Sequence, residues 1–285
     1  FNDQISHFPY LVSFILLLAS ILCSNQLSAD VIGKDNRLQI IPQTQTTLER
    51  KVGLLVTNKA GPNKLGMCTA TIVGKRHVIT AAHCIYNEET QKIVNNLTFF
   101  PGITRMEEKI YSRAYVHKVY INKTFLKRWP QTLKKISKSE KRMDETLIPY
   151  DFALLEVYDI SGPNKVGVGE KYGIVEIERM TKALAKEYVN TLVISYPGDK
   201  ETGTQWRENC ASQLASSNIF SLDCDLYSGA SGSGLLLRKN TNNIYKLFGV
   251  VTSSGELAGQ AASFSESIYA DIKNILNGNR RPLKT

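Results

Sequence analysis

Short apolar segments alternate with polar turns through most of the chain. Segments of this kind, rich in Val, Ile and Leu and bounded by Gly, Pro or Asn, are typical of β-strands. The predicted strands are residues 51–56, 68–73, 77–81, 97–100, 114–121, 152–157, 191–196, 218–222, 234–237 and 247–252. Short strands at similar spacing, without helices between them, predict an all-β fold, either a barrel or a sandwich.

Four regions depart from this strand pattern. Residues 176–190 place apolar side chains at helical spacing, which predicts a helix. Residues 268–276 are amphipathic and end at an Asn-Gly stop, which predicts a terminal helix. Residues 123–149 are polar and basic, and we expect them to form a surface excursion. The Ser-Gly-Pro-Asn sequence at 161–164 predicts a linker between two halves of the chain.

The 285 residues suffice for one large domain or two of ordinary size, and the formal net charge is +9. Such a charge raises the hypothesis of a nucleic acid or another anionic partner. The charge is uneven, however, because eight Lys or Arg residues lie between Lys123 and Arg142. No nucleic-acid-binding motif accompanies them. We therefore interpret this region as a solvated basic face and expect no nucleic acid partner.

An apolar run over residues 10–23 is followed by Leu27-Ser28-Ala29, which is typical of a signal-peptidase site. The run is too short for a comfortable membrane span. We predict a signal peptide over residues 1–29 and a secreted, extracellular protein. No Lys or Arg precedes the run, which leaves an uncleaved anchor as the alternative. Contact with a membrane is expected only in that case.

Loss of residues 1–29 would leave an even number of cysteines, namely Cys68, Cys84, Cys210 and Cys224. An even number in an exported protein implies disulfides, and we expect one in each half, Cys68 to Cys84 and Cys210 to Cys224. A zinc site is the alternative, but no closely spaced Cys or His pair supports it.

Candidate chemistry begins at residues 229–234, which read Gly-Ala-Ser-Gly-Ser-Gly. Glycines leave Ser231 with little steric cover, although such a run is also typical of a plain turn. His83 directly follows an apolar segment and precedes a cysteine; alone, it could equally be a partly buried structural histidine. Asp151 stands at the entrance of an apolar strand, where its charge needs a donor, and backbone N–H groups would suffice.

The three residues together supply the parts of a nucleophilic site. Serine is a poor nucleophile until a base takes its proton, and imidazole titrates near neutral pH. A buried carboxylate can hold that imidazole in one tautomer. Ser231, His83 and Asp151 fill these roles, and the N–H groups of Gly229 and Ser231 would form an oxyanion hole. The sequence therefore predicts an acyl-transfer site.

The motifs around these residues resemble those of trypsin-like (chymotrypsin-fold) serine proteases: TAAHC at 80–84, DFALL at 151–155 and GASGSG at 229–234. The chain is most similar to the glutamyl endopeptidase, or V8-like, branch and to secreted serine proteases related to it. The segments that carry this closer likeness are VIGKDNR at 31–37, SYPGDK at 195–200, GTQW at 203–206 and Gly232-Ser233.

This resemblance implies an all-β fold of two six-stranded antiparallel β-barrels with a C-terminal helix. Residues 30–160 would form the first barrel, and residues 161–285 the second barrel with the helix. The resemblance also implies peptide hydrolysis through an acyl-enzyme, with no metal and no organic cofactor. A Cys68–Cys84 disulfide would fasten the loop that carries His83. The expected partner is a polypeptide substrate, with room for a protein inhibitor, and we expect a monomer.

The residues that would set substrate specificity and activation depart from the pattern of these families. Asp225, six positions before Ser231, stands where trypsins carry the carboxylate that binds Arg or Lys, and Thr252 and Ser254 would complete the substrate-binding residues. Val251 stands where the V8-like branch has a histidine that helps to read glutamate. We therefore expect faster cleavage after Arg or Lys than after Glu.

Ala230 cannot pair with a freed N-terminus as the corresponding carboxylate of trypsins does, so removal of the signal peptide is expected to suffice for activity. The alternative to a working enzyme is a catalytically silent protease homologue that acts as a binding protein.

Overall fold

The computed structural model describes residues 34–57, 65–87, 90–106, 112–136, 145–159, 166–181, 189–216, 218–239, 244–254 and 258–279. The predicted signal peptide and the predicted linker at 161–164 lie outside this part of the chain. Within it, no helix is both long enough and apolar enough to cross a membrane.

Antiparallel strands dominate the structure. In chain order they are β1 (Leu38–Ile40), β2 (Val52–Thr57), β3 (Gly66–Gly74), β4 (His77–Thr80), β5 (Tyr86–Asn87), β6 (Lys92–Ile93), β7 (Thr98–Pro101), β8 (Ala114–Ile121), β9 (Ala153–Asp159), β10 (Val166–Gly167), β11 (Val189–Ser195), β12 (Gln205–Ser216), β13 (Ile219–Leu222), β14 (Gly234–Arg238), β15 (Tyr245–Ser254) and β16 (Gly259–Ser263).

The strands close into two barrels. In the first barrel the order is β9-β4-β3-β2-β7-β8, and β8 pairs with β9 to complete the ring. In the second barrel the order is β12-β11-β14-β15-β16-β13, and β13 pairs with β12. Closure leaves neither ring with a free edge. The prediction of two six-stranded antiparallel barrels is confirmed, whereas the predicted boundary at residue 160 stays a prediction.

Each barrel is also covered by a segment from the opposite end of the chain. The short strand β1 pairs with β12 and so adds the N-terminal region to the second barrel. The C-terminal helix α3 (Glu266–Leu276) buries Ile268, Ile272 and Ile275 in the core cluster that contains the first barrel's residues. Strand β1 thus joins the N-terminal region to the second barrel, and α3 packs into a core cluster to which both barrels contribute.

Helices are few in the described residues, and their sequences explain which ones were predicted. The C-terminal helix was expected and is confirmed. Helix α1 (Lys123–Ile136), however, occupies the region expected to be a surface excursion. Phe125 and Trp129, four residues apart, share one helical face, stack at 5.0 Å between ring centroids and are buried. The basic residues of this region obscured that apolar face. Helix α2 (Val168–Tyr172) is short.

The predicted helix at 176–190 is wrong where the structure describes it. Residues 176–181 are not helical: the backbone pairs with β15, since Leu247 N–H donates to Glu176 O and Glu178 N–H donates to Leu247 O. Strand β11 already begins at Val189, and residues 182–188 lie outside the described part. Pairing with a neighbouring strand outweighed the helical spacing of the apolar side chains.

Strands β12 and β16 were not predicted at all. Strand β12 is 12 residues long, yet its sequence contains Gln, Arg, Glu and Asn and has no continuous apolar run. More exposed and buried positions alternate from Arg207 to Gln213, which is the pattern of a strand with one face on the core. A search for apolar runs misses such strands.

Candidate active site

His83 and Asp151 meet where β4 and β9 run side by side. Thr80, the last residue of β4, pairs with Ala153, the first residue of β9, so the segments beyond both ends lie together. The carboxylate of Asp151 is fully buried. Its Oδ1 accepts the backbone N–H of His83 at 2.8 Å, and its Oδ2 lies 2.6 Å from His83 Nδ1. One carboxylate therefore fixes both the backbone and the ring of the histidine.

This contact determines the proton arrangement of the imidazole. An ionised carboxylate can only accept hydrogen bonds, so the Nδ1 atom that faces Asp151 carries the hydrogen. The lone pair of a neutral ring then lies on Nε2, on the side away from Asp151. With 18% of its side chain exposed, His83 can receive a proton from a group that approaches from outside. The arrangement suits a general base.

A disulfide restrains the turn that carries His83. His83 lies in a 3-10 turn, Ala82–Cys84, and Cys84 is bonded to Cys68 of β3. The crosslink closes a loop with a sequence separation of 16, which on the chain-entropy account contributes about 3 kcal/mol to stability. The predicted pairing of Cys68 with Cys84 is confirmed, as is that of Cys210 with Cys224. The imidazole is thus held by a strand, a carboxylate and a covalent bond.

Ser231 lies in the loop between β13 and β14, between two glycines with left-handed backbone. Gly229 has φ +98° and Gly232 has φ +85°, values that L side chains rarely adopt. A Cβ on Gly229 would lie 2.3 Å from Tyr196 O, and one on Gly232 would lie 2.2 Å from Thr69 O. Both positions therefore require glycine for conformation and for space. The alternative of a plain turn does not account for these contacts with Tyr196 and Thr69.

Hydrogen bonds from Thr69 of β3 join the serine loop to the first barrel. Its backbone N–H donates to Ser231 O at 2.8 Å, and its Oγ1 donates to Gly229 O at 2.9 Å. The same Oγ1 accepts the N–H of Tyr196 at 3.1 Å. The sulfur of Cys84 lies 3.8 Å from Ser231 O, which places the serine backbone next to the His83 turn. Sequence reasoning missed Thr69, whose only signal was a hydroxyl within an apolar run.

The N–H groups of Gly229 and Ser231 remain available to a ligand. Within the described residues neither group donates to a backbone carbonyl, whereas Ala230 N–H donates to Tyr227 O and Gly232 N–H to Val251 O. Two N–H groups that flank one serine are the donors an oxyanion requires. In the described part of the chain, the two donors expected from the sequence thus have no backbone acceptor.

The sets of residues that could in principle hold a metal do not suit one. Among the described residues, two groups bring three potential donors together: Cys68, His83 and Cys84, and Glu208, Cys210 and Cys224. All four cysteines are in disulfides. Zinc binds cysteine as a thiolate, which a disulfide sulfur is not. The donor chemistry of both groups therefore argues against a metal centre.

The residues expected to bind substrate lie deeper than the serine. Asp225 is 3% exposed, and its Oδ2 accepts the N–H of Asn36 at 3.0 Å. Its own N–H donates to Glu208 Oε2 at 2.9 Å. Thr252 is also buried, and its hydroxyl donates to Gln260 O. The side chain of Ser254 lies outside the described residues. The assignment of these residues to substrate binding stays a prediction.

Glu208 has an unusual environment for a carboxyl group. Burial, followed by the negative charge of Asp225, raises the pKa of Glu208 to about 7. The N–H of Asp225 and the charge of Arg37 act in the opposite direction, and Asp223 adds a further negative charge. Glu208 was not among the residues found from sequence, because it lies in the polar strand β12.

Comparison with known proteins places the chain among peptidases. The family described as "Trypsin-like peptidase domain" matches residues 68–242, which is more than half of the chain and includes His83, Asp151 and Ser231. Among solved structures, a Glu endopeptidase in complex with MPD superposes with a TM-score of 0.66 at 18% identity, and the match covers 87% of this chain and 99% of that one.

Two Bacillus proteins are similar in sequence. The Glutamyl endopeptidase of Bacillus licheniformis is 26% identical over 203 residues, which are 71% of this chain but only 53% of that protein. A protein of Bacillus subtilis named Extracellular metalloprotease is 25% identical over 251 residues, or 87% of this chain and 70% of that protein. The chain thus spans about half the length of the first of these relatives.

Proposed function

Because the chain belongs to the trypsin-like peptidase domain family, we propose that it is a serine endopeptidase that hydrolyses polypeptides through Ser231, His83 and Asp151. The similarity to the family and to a glutamyl endopeptidase confirms the resemblance seen in the sequence motifs. The observation that carries the assignment of residues is the buried Asp151 carboxylate, which binds both the backbone N–H and Nδ1 of His83.

In the first half of the proposed reaction, Ser231 Oγ attacks the carbonyl carbon of the scissile peptide bond. His83 Nε2 takes the serine proton as the new C–O bond forms. The negative charge that develops on the carbonyl oxygen is stabilised by the N–H groups of Gly229 and Ser231. His83 then gives its proton to the leaving amine as the C–N bond breaks, which leaves an ester on Ser231.

The second half releases the acyl group. A water molecule loses a proton to His83 Nε2 and attacks the ester carbonyl, and the returning proton restores the Ser231 hydroxyl. The products are one carboxylic acid and one amine. Throughout, Asp151 keeps the hydrogen on Nδ1 and stabilises the imidazolium that forms twice in each cycle. No step requires a group other than these residues and water.

We also propose that the protein works outside the cytosol. Two disulfides support this proposal, because such bonds persist in oxidising compartments and are rare in the cytosol of mesophiles. A similar protein is named as extracellular. Mass spectrometry of protein from the culture medium tests the proposal; protein found only inside cells, with free thiols, would contradict it. The signal peptide over residues 1–29 stays a prediction.

Peptide hydrolysis by three forms of the protein tests the proposed activity. Ser231→Ala should lose essentially all hydrolysis, by about 10⁴-fold or more, because the nucleophile is removed. Ser233→Ala is the matched control, since Ser233 lies two residues away, is fully buried and should not react. Its activity should stay close to that of the wild type.

The same three proteins distinguish a working peptidase from a catalytically silent homologue that only binds polypeptides. Well-folded wild-type protein that neither cleaves peptides nor reacts with a fluorophosphonate would show that the chain binds polypeptides without turnover. Hydrolysis that persists in Ser231→Ala would place the nucleophile elsewhere.

A further inference from the structure

Resting on the proposed peptidase function, we propose that residues 34–40, here called the strap, fix the loop ahead of Ser231 through Asp225. Asp225 is then a positioning residue that the strap binds, and it does not read the side chain of the substrate. The proposal replaces the trypsin-like role that the sequence position of Asp225 suggested.

The strap is attached to the second barrel by its backbone. Its last three residues form β1, in which Leu38 pairs with Arg207 and Ile40 with Gln205. Ile40 is buried in the core. Because β1 pairs with residues 205–207 of β12, the preceding Asn36 lies next to Asp225, and its N–H donates to Asp225 Oδ2 at 3.0 Å.

A buried guanidinium clamps the strap in place. The side chain of Arg37 is 2% exposed and binds two carboxylates, those of Asp35 in the strap and Asp199 in the second barrel. Its Nη1 and Nη2 atoms donate to the two oxygens of Asp199 at 2.9 and 2.5 Å, which is the paired geometry that guanidinium favours. The side-chain hydrogen bond that Arg37 donates to Asp35 holds the pKa of Asp35 well below its usual range. The strap is therefore bound to the second barrel at a specific residue, Asp199.

A lysine strengthens the same junction. Lys200 Nζ lies 2.5 Å from Asp35 Oδ2 and 4.7 Å from the ring centroid of Trp206. Trp206 belongs to β12 and pairs with Gln39 of β1. One ionic network thus joins the strap, β12 and the loop at residue 199.

Asp225 is enclosed by the strap and by β12. Its Oδ2 accepts from Asn36, its N–H donates to Glu208 of β12, and the preceding Cys224 is covalently bonded to Cys210 of β12. A carboxylate that selects a guanidinium must face the substrate with its oxygens. Asp225 instead directs an oxygen at the chain's own backbone while only 3% of it is exposed. This placement suits an anchor for the loop that continues to Gly229 and Ser231.

Asp225→Ala and Asp225→Asn distinguish two roles of Asp225: an anchor that holds the loop ahead of Ser231, and a selector that binds the Arg or Lys side chain of the substrate. Hydrolysis is measured on peptides that differ only in having Arg or Leu before the cut. If Asp225 is an anchor, Asp225→Ala lowers kcat/KM for both peptides by about 10- to 100-fold, because the serine loop shifts. Their ratio then changes by less than about threefold. Asp225→Asn keeps an oxygen for the Asn36 N–H and should restore most of the activity.

A selector would behave differently. Loss of Arg cleavage by about 100-fold or more in both variants, with Leu cleavage unchanged, would overturn the proposal. So would an Asp225→Ala variant that cleaves both peptides as the wild type does.

Hydrogen exchange tests the strap without any turnover. Arg37→Ala and Asp225→Ala should both speed exchange of the backbone N–H groups of β1 and of residues 205–207, because the first removes the ion pairs with Asp35 and Asp199 and the second removes the acceptor of the Asn36 N–H. Exchange unchanged in both variants would overturn the strap. If the wild-type protein cleaves nothing and resists fluorophosphonate, the peptidase function fails, while this exchange measurement still decides whether the strap exists.

Discussion

The two barrels hold their parts of the site by different means. The first barrel places His83 by strand register, a buried carboxylate and a disulfide, all within residues 68–153. The second barrel carries Ser231 in a loop that is restrained within that barrel, as by the bond from Gly232 N–H to Val251 O, and also from outside it, by Thr69 of the first barrel and, as we propose, by the strap. The proposed base is thus positioned by contacts within one barrel, whereas the proposed nucleophile also depends on contacts from outside its own barrel. Disturbing a distant contact should therefore affect the serine more than the histidine.

The largest expected effect comes from changing the contact between Asp151 and His83 within the first barrel. Asp151→Asn should lower kcat by about 10⁴-fold, because the amide no longer holds His83 in the required tautomer. Steady-state kinetics on a peptide substrate measures the loss, and circular dichroism checks that the fold survives. Activity within tenfold of the wild type would mean that the contact between His83 and Asp151 serves structure alone.

Gly232→Ala breaks the junction between the barrels. A Cβ at this position would meet Thr69 O and Thr80 Oγ1, each at 2.2 Å, in a backbone with φ +85°. We expect a loss of about 3 kcal/mol in the free energy of unfolding, measured by denaturant titration. Gly278→Ala is the matched control, since its φ is +76° but no atom lies within 4 Å of the added Cβ.

The control should lose only about 1 kcal/mol, the cost of the left-handed backbone itself. Equal losses in both variants would show that backbone conformation, and not the close approach of the barrels, makes Gly232 necessary.

Thr69→Val tests how much one hydroxyl of the first barrel contributes to holding the serine loop. The variant keeps the shape of Thr69 but loses the contacts of Oγ1 with Gly229 O and Tyr196 N. Leaving these groups unpaired should cost about 2 kcal/mol in the free energy of unfolding. It should also lower kcat/KM, because the serine loop loses its tie to β3.

Thr71→Val is the control for that experiment. Thr71 is equally buried on the same strand, and its Oγ1 has no hydrogen-bond partner among the described residues. The substitution should be neutral or slightly stabilising. If Thr71→Val is as harmful as Thr69→Val, the hydroxyl of Thr69 has no special role at the junction.

The smallest expected effect is a pH dependence beside the strap. Glu208 faces Asp225, Asp223 and Arg37, and its pKa is raised to about 7. A carboxyl whose pKa is higher in the folded protein favours folding when protonated, so this contribution is present below pH 4.5 and is lost as pH rises to about 7. Denaturant titrations from pH 5 to 7 measure it.

In the wild type, the free energy of unfolding should fall between pH 5 and 7. Glu208→Gln should remove about 1–2 kcal/mol of that fall, since the amide carries no charge at any pH. The same decline in Glu208→Gln and in the wild type would assign the pH dependence to other groups.

Local sequence patterns predicted the parts of the molecule that local interactions create. Apolar runs identified strands such as β3 and β9, and motifs selected His83, Asp151 and Ser231 as candidate site residues. The polar strand β12 and the apolar face of α1 were missed, because their burial depends on neighbours and not on average polarity. The contact of Asn36 with Asp225 spans 189 positions, so no local pattern could show that the carboxylate is occupied.

The central claim is that His83 of the first barrel activates Ser231 of the second. Fluorophosphonate labelling followed by peptide mapping tests it most directly, because the probe forms a stable bond only with an activated serine. We expect a single adduct on Ser231 in the wild type and labelling slower by about 10³-fold or more in His83→Ala. An adduct on another residue, or equal labelling rates in His83→Ala and the wild type, would contradict it.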